Sequence, residues 1–220
     1  RFCVGLGIIE HDPTRDLPSD IFKKRKVKNY AYISDPKEIG GLLRMIDNYK
    51  GSYQVGTALK IAPYIFVRPL ELAGLKWGEV DFTDKLIRID AERMKMGEPH
   101  IVPMSNQVIK LLENIEAIET GSVFVFPSPA TSKRHISPES LRAGLRRMGL
   151  SSDEMTTHGF RHMASTRLYE LGFNGDVIER QLAHGERNKI KATYNHAQYL
   201  KGRKIMMDEW ANYLDKLRDN

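Results

Sequence analysis

Apolar side chains recur at helical spacing over most of this chain. The clearest helix start is the segment "DPKE" at residues 35–38, which places an aspartate at the N-cap, a proline at the first helical position and a glutamate at the third. Ile39, Leu42, Leu43 and Ile46 follow on one helical face. The same reasoning predicts further helices over residues 53–66, 69–75, 108–115, 137–145, 157–171, 176–182 and 206–217. The chain is therefore expected to be mainly α-helical.

The pattern changes to alternation between residues 79 and 105, in "EVDFTDKLIRIDAERMKMGEPHIVPMS". Apolar and polar positions alternate around Asp84 and again around Gly97, which predicts about three antiparallel strands. Lys95 lies near the second turn, between two methionines; on a strand it would face away from both and could reach across a groove. Taken alone, the pattern favours a plain surface lysine. The predicted fold class is α+β, mainly α-helical with a small three-stranded antiparallel sheet.

Residues 1–30 lack this regularity. "HDPTRDLPSD" contains prolines and aspartates that interrupt regular structure, and a strongly basic run follows it. We interpret residues 1–30 as the tail of an upstream domain with a linker. Such a run can follow the phosphates of a nucleic acid, and a solvated linker fits it as well. Its basic residues are Lys23, Lys24, Arg25, Lys26 and Lys28.

Composition narrows the class of protein. A chain of 220 residues with 41% apolar residues can bury a core, and its net charge of +6 is a modest basic excess. The sequence has neither an apolar run long enough to cross a bilayer nor a secretory signal. Its one cysteine, Cys3, cannot form an internal disulfide, which fits a reducing cytoplasm. Because the chain begins with Arg1, we expect it to be part of a longer protein.

The helix predicted over residues 157–171 carries an unusual polar face. Phe160, Ala164, Leu168 and Leu171 cluster on one side, and the other side is rich in hydrogen-bond donors. Such a face suits an anion, although an ordinary polar face remains an equal interpretation. The donors are His158, Arg161, His162 and Ser165.

The spacing of His158 and His162 also resembles a zinc-binding helix. In "HGFRH" the position of the catalytic glutamate of that motif is taken by Gly159, so the pattern gives little support to a metal site.

Two further segments contain candidate chemistry. Arg68 directly precedes a helix that begins with proline, and Glu71 three residues later could hold its guanidinium for contact with another group. A local ion pair with no further role is the simpler reading. Tyr194 lies in the polar segment "ERQLAHGERNKIKATYNHAQYL", ten residues after His184. Tyrosine has a pKa of about 10, so an attacking phenolate needs nearby positive charge or a base.

Several of these residues, in order, resemble the active-site series of the tyrosine recombinases, the phage integrase family. Five segments resemble the branch of this family encoded by prophages and integrative islands: "FVRPLELAGLKWGEVDF", "AERMKMGEPHIVPMS", "THGFRHMASTRLYELGF", "VIERQLAHGERNKIKATYNHAQYL" and the C-terminal "MMDEWANYL". The resemblance covers residues 31–220 as a catalytic domain with the fold of these DNA breaking and rejoining enzymes. Residues 1–30 resemble the end of the family's core-binding domain, with a basic linker. The matching positions are Arg68, Lys95, His158, Arg161, His184 and Tyr194.

The resemblance implies a reaction at a DNA phosphate. Tyr194 would attack the scissile phosphate in line, forming a 3′-phosphotyrosyl link and releasing a 5′-hydroxyl. Arg68 and Arg161 would clamp the non-bridging oxygens, and His184 would donate a further hydrogen bond to them.

The resemblance also assigns supporting roles. His158 would assist proton transfer at the tyrosine, Lys95 would protonate the leaving 5′ oxygen, and Glu71 would support Arg68. The link preserves the energy of the phosphodiester bond, so neither ATP, nor a metal, nor any other cofactor is implied.

The expected function is site-specific recombination that integrates or excises a prophage or genomic island. The implied partners are double-stranded DNA attachment sites, further copies in a DNA-bound tetramer, a DNA-bending host factor and an excisionase, with no membrane partner. The expected location is the bacterial cytoplasm, at the nucleoid when active. The attachment-site sequence does not follow from the chain.

Three alternatives stay open. A type IB topoisomerase-like relaxase shares the chemistry, and a metal-dependent nuclease also cleaves DNA. A non-catalytic DNA-binding regulator would have no need of both Lys95 and Tyr194.

The C-terminal apolar stripe has two interpretations. Met206, Trp210, Leu214 and Leu217 could pack on their own domain, or they could dock on a neighbouring protomer, as the resemblance favours.

Overall fold

The computed structural model describes residues 2–15, 17–18, 30–118, 121–184 and 199–220. Within these ranges no helix is long and apolar enough to cross a membrane. The helices are α1 (Phe2–Gly5), α2 (Pro36–Asp47), α3 (Tyr53–Ile65), α4 (Pro69–Ala73), α5 (Asn106–Glu116), α6 (Pro138–Arg147), α7 (Gly159–Glu170), α8 (Gly175–Gln181) and α9 (Leu200–Asp219). They confirm the predicted helices and add the short α1, which the sequence pattern did not indicate.

A small antiparallel sheet interrupts the helices. Its strands are β1 (Val80–Asp81), β2 (Leu86–Ile89) and β3 (His100–Pro103), in the order β1-β2-β3. Ile87 pairs with Val102, and both side chains are buried because they lie on the same face of the sheet. The predicted fold class is thereby confirmed. A second sheet, β4 (Pro127–Ser128) with β5 (Thr131–His135), was not predicted.

The connection between β2 and β3 corrects one expectation. Lys95 and its methionine neighbours lie on no strand, because a 3₁₀ helix at Ala91–Arg93 and a turn occupy this part of the chain. Met94 is 7% exposed and Met96 is 60% exposed, so the two methionines do not share a face. Lys95 is exposed in the turn between them.

Helix α9 packs inside the domain. Met206, Trp210 and Leu214 are completely buried, and the Trp210 indole donates to the Pro63 carbonyl of α3 at 2.9 Å. A side chain at Gly40 of α2 would collide with the backbone of α9, so the two helices approach closely there. The apolar stripe of α9 therefore lies within its own domain, and docking on a neighbour is not how this structure buries it.

Candidate active site

Arg68 stands at the junction of α3 and α4. It is the N-cap residue of α4, where its backbone N–H donates to Glu71 Oε2 at 2.9 Å and its Nη1 donates to Glu71 Oε1 at 2.8 Å. Glu71 is almost fully buried, so its carboxylate is held by both contacts. The expected pair between these two residues is therefore present, and it fixes the direction of the guanidinium.

Arg161 occupies a buried position on α7. It is 7% exposed, although the helical pattern had placed it on a polar face opposite the core. The guanidinium donates to the Phe66 carbonyl at 2.8 Å and to the Leu182 carbonyl at 2.6 Å. Leu171, by contrast, was expected with the apolar cluster but is 43% exposed, because it follows the end of α7.

The carbonyls that hold Arg161 belong to helix ends. Phe66 is the C-cap of α3 and Leu182 the C-cap of α8, and carbonyls at such ends have no partner within their helix. Arg68 also donates, at 3.3 Å, to the carbonyl of Ala183, the residue that follows Leu182. Helix C-termini carry partial negative charge, which favours a cation. Both arginines, named here the guanidinium pair, thus converge on the end of α8.

The guanidinium pair carries more positive charge than its neighbouring groups neutralise. Burial, followed by the charge of Arg68, lowers the pKa of Arg161 to about 10, while the charges of Glu71 and Glu179 oppose that change by smaller amounts. Among the described residues, no carboxylate lies in salt-bridge contact with Arg161. Of the two cations only Arg68 is paired with a carboxylate, Glu71, so the pair keeps a net positive charge, which an anion would neutralise.

His184 completes this side of the site. Its Nδ1 lies 2.7 Å from Glu179 Oε2, and its Nε2 lies 3.4 Å from Arg161 Nη2. The carboxylate accepts from Nδ1–H, so the ring is oriented with Nε2 towards the guanidinium pair. This nitrogen faces the place where a phosphate oxygen would be bound by the two guanidinium groups. The side chain is 48% exposed, so solvent reaches this edge.

His158 lies at the start of α7, half-buried. Burial is the main reason that its pKa is below the ordinary value, and the charges of Arg161, His162 and Arg68 act in the same direction. The ring is therefore neutral near pH 7, and a neutral imidazole can accept a proton. One face of this ring is covered by Tyr30, at a centroid distance of 4.5 Å.

The structure does not place Lys95 in contact with these groups. Its loop is nonetheless tied to α4, because Arg93 forms an ion pair with the buried Glu79 and donates to the Glu71 carbonyl at 3.1 Å. Lys95 follows this anchor by two residues.

Some of the predicted site residues lie outside the described residues. These are Tyr194 and the basic residues Lys23, Lys24, Arg25, Lys26 and Lys28. Among the described residues, no group of three or more histidine, cysteine, aspartate or glutamate side chains could hold a metal ion.

Comparison with known proteins decides the family. The model of the phage integrase family matches residues 34–201. This chain belongs to the phage integrase family. An integrase of Shigella phage Sf6 is 35% identical over 217 residues, which are 98% of this chain and 56% of the relative. The chain spans about half the length of the curated relatives it matches.

Solved structures share the fold of this phage integrase family member. The Tn1549 transposon integrase, in complex with circular intermediate DNA, has a TM-score of 0.61 and 18% identity, over 93% of this chain and 73% of the other. A lambda integrase dimer bound to a COC′ core site also has a TM-score of 0.61 and 18% identity, over 92% of this chain and 68% of the other.

The sequence interpretation missed one group that orients the site of this family member. Glu179 lies five residues before His184, and only the end of α8 brings the two side chains together. A carboxylate one turn before a helix end could have suggested this partner.

It also missed a buried polar cluster beside the site, made of Arg203, Gln181 and His100. Arg203 is fully buried and donates to Gln181 Oε1 at 2.8 Å from Nη2 and at 3.0 Å from Nε. His100 Nε2 lies 3.3 Å from Arg203 Nη2. Burial is the main reason, and the charge of Arg203 the next, that the pKa of His100 is lowered to about 3. The cluster joins α9, α8 and β3.

Proposed function

We propose that this protein is a site-specific DNA recombinase that cuts and rejoins DNA through a 3′-phosphotyrosyl intermediate. The observation that carries the proposal is the guanidinium pair, which converges on the end of α8 beside the Nε2 edge of His184. Three donor groups around one opening suit the non-bridging oxygens of a phosphodiester and the additional charge of a pentavalent transition state. Membership of the phage integrase family supports the same conclusion.

The proposed reaction has two half-steps at phosphorus. The Tyr194 oxygen forms a bond to phosphorus while the bond from phosphorus to the 5′ oxygen breaks. The phenolic proton leaves with the help of His158, whose lowered pKa keeps it neutral, and Lys95 donates a proton to the 5′ oxygen. In the second half-step, the oxygen of a 5′-hydroxyl forms a bond to phosphorus while the bond from phosphorus to the Tyr194 oxygen breaks. The hydroxyl proton passes to Lys95 and the tyrosine regains its proton from His158, so rejoining needs no external energy source.

The surroundings of the site are part of the proposal. Residues 1–30 would be the end of a core-binding domain and a linker, and residues 31–220 the catalytic domain. Lys23, Lys24, Arg25, Lys26 and Lys28 would contact DNA phosphates. The substrate would be the attachment sites of a prophage or genomic island in a bacterial cytoplasm. Four copies would act together on DNA, with a bending protein and an excisionase as helpers.

A suicide substrate tests the chemistry. The intact protein is incubated with a nicked duplex that carries the attachment-site sequence of its prophage or genomic island. A denaturing gel then detects protein bound to a 3′ end. We expect a covalent adduct with the wild type, none with Tyr194→Phe, and unchanged adduct formation with the matched variant Tyr199→Phe. DNA binding should survive in Tyr194→Phe, since one hydroxyl adds little beside the phosphate contacts.

The alternatives predict other results. Retention of the adduct in Tyr194→Phe would overturn the assignment of the nucleophile. Cleavage that chelation stops, without protein on the 3′ end, would indicate a metal-dependent nuclease. Relaxation of supercoils without preference for a site would indicate a type IB topoisomerase-like enzyme.

A further inference from the structure

The segment of residues 30–34, named here the crossing segment, runs over the start of α7. The Ala31 carbonyl accepts from the Thr156 backbone N–H and from the Thr156 hydroxyl, each at 3.1 Å. A side chain at Gly159 would approach the Ala31 carbonyl to 2.5 Å, so the glycine permits this close crossing. The segment is therefore fixed against the helix that carries His158.

Two tyrosines of the crossing segment lie over the two histidines of α7. Tyr30 stacks on His158, with ring centroids 4.5 Å apart and an angle of 12° between the planes. Tyr32 lies over His162 at 5.6 Å and 31°. Tyr30 is 52% exposed and Tyr32 is 38% exposed, so neither ring contributes much to a core. Tyr30 also lies 6.2 Å from His162, tilted by 34°, and the Tyr32 hydroxyl accepts from Thr166 at 3.4 Å.

We propose that Tyr30 is a positioning residue for His158, which it holds flat at the edge of the phosphate site. Parallel stacking restricts rotation of the imidazole about its side-chain bonds and keeps one face of the ring away from water. The proposal rests on the proposed DNA cleavage, in which His158 takes up the proton of the nucleophile. Tyr32 is the natural comparison, because its ring is tilted rather than stacked and lies near His162, a histidine with no assigned role.

Removal of the Tyr30 ring should alter the titration of His158. Burial is the largest cause of the lowered pKa of His158, and Tyr30 provides part of that burial. In Tyr30→Ala the pKa of His158 should rise towards its ordinary value. As the pH falls, the neutral ring and the cleavage rate should therefore be lost at a higher pH than in the wild type. The charged or titratable groups that act on His158 are Arg161, His162, Arg68 and Glu71, and of these His162 also lies 6.2 Å from the Tyr30 ring.

The test combines a pH–rate profile with a direct titration. Single-turnover cleavage of the suicide substrate by the intact protein should be about tenfold slower at pH 6 in Tyr30→Ala, with a smaller loss at pH 8. Tyr30→Phe keeps the stacked ring and should restore the wild-type profile. Tyr32→Ala should leave the profile unchanged. Thermal unfolding of each variant establishes that the protein remains folded.

NMR titration of the histidine ring protons of the 220-residue chain, without DNA, gives a readout that does not depend on activity. His158→Gln identifies the signal. We expect the His158 midpoint to rise in Tyr30→Ala and to stay in place in Tyr30→Phe and Tyr32→Ala. An unchanged midpoint together with an unchanged cleavage profile in Tyr30→Ala overturns the inference. Absence of any adduct in the wild type overturns the proposed function instead, and the titration still tests the stacking.

Discussion

Arg161 and Arg203 are two buried arginines with similar surroundings and different positions. Each guanidinium donates to backbone carbonyl groups and lies near a histidine. Burial, as the largest cause, lowers the pKa of each to about 10. The histidine beside Arg161 is largely exposed, whereas the one beside Arg203 is 4% exposed.

This difference separates Arg161, which we propose to bind a phosphate, from Arg203, which serves packing. Gln181 and His100 enclose Arg203, and both are buried themselves, so its donors serve the packing of α9 against α8 and β3. The groups beside Arg161 are more exposed, since the side chains of Arg68 and His184 are 22% and 48% exposed. Burial and a lowered pKa are common to both arginines, so the exposure of the neighbouring groups is what separates them.

The largest expected effect is on chemistry, at Arg161. In Arg161→Ala, we expect adduct formation on the suicide substrate to fall by about 10²–10³-fold, because one donor to the transition-state oxygens is lost. Unfolding in urea should change less than in the Arg203 variant, since relief of repulsion with Arg68 offsets the lost carbonyl contacts. Near-normal adduct formation in this variant would remove Arg161 from the site.

The next effect is on stability, at Arg203. In Arg203→Met, the Gln181 amide and the Ile101 carbonyl lose a buried donor, and we expect the free energy of unfolding to fall by about 2–3 kcal/mol. Urea denaturation measures this loss. The folded fraction should still form adduct at a rate much closer to the wild type than Arg161→Ala does. If fully folded Arg203→Met and Arg161→Ala proteins lose adduct formation equally, the distinction between the two arginines is wrong.

The smallest effect is a pH dependence at His100. The folded state keeps this ring neutral down to a pH of about 3, whereas the unfolded chain binds a proton near pH 6.5. The unfolded state therefore holds more protons between these values, so stability is full above about pH 6.5 and decreases as the pH falls towards 3. The slope contributed by one such group is at most about 1.4 kcal/mol per pH unit.

His100→Gln should remove that slope, because glutamine offers Arg203 an acceptor and takes up no proton. Urea denaturation at pH 7, 6 and 5 measures the difference from the wild type. The exposed His11→Gln serves as the matched control and should follow the wild-type curve. A His100→Gln protein with the wild-type slope would show that the cluster does not hold His100 neutral.

Local signals explain which parts of the fold could be predicted. Asp35 accepts from the backbone N–H groups of Lys37 and Glu38, which is the cap that "DPKE" indicates. The β4–β5 hairpin escaped prediction because "TSKRH" has three exposed residues in a row and no alternation. Its pairing partner, Pro127, also gives no strand signal.

The same distinction between local and long-range contacts explains which parts of the candidate site could be predicted. Arg68 and Glu71 are three residues apart, and their contact follows from helix geometry. The burial of Arg161 could not be predicted, since its partners at Phe66 and Leu182 are backbone atoms from distant helices. Arg203 lies in "KGRK", which has the composition of a solvated surface. Tyr30 and His158 are brought together by tertiary structure alone.

The carbonyls that hold the guanidinium pair have a consequence for mutational tolerance. Phe66, Leu182 and Ala183 contribute main-chain oxygens, which every amino acid possesses. Replacement of their side chains therefore leaves the anchoring atoms in place, provided that the backbone keeps its course. At Ala183 the φ angle of 48° limits that freedom and makes glycine or asparagine the easiest replacement. Phe66 and Leu182 are also core side chains, so only apolar residues of similar size fit there. A library of substitutions at Ala183 should retain function far more often than one at Arg68 or Arg161.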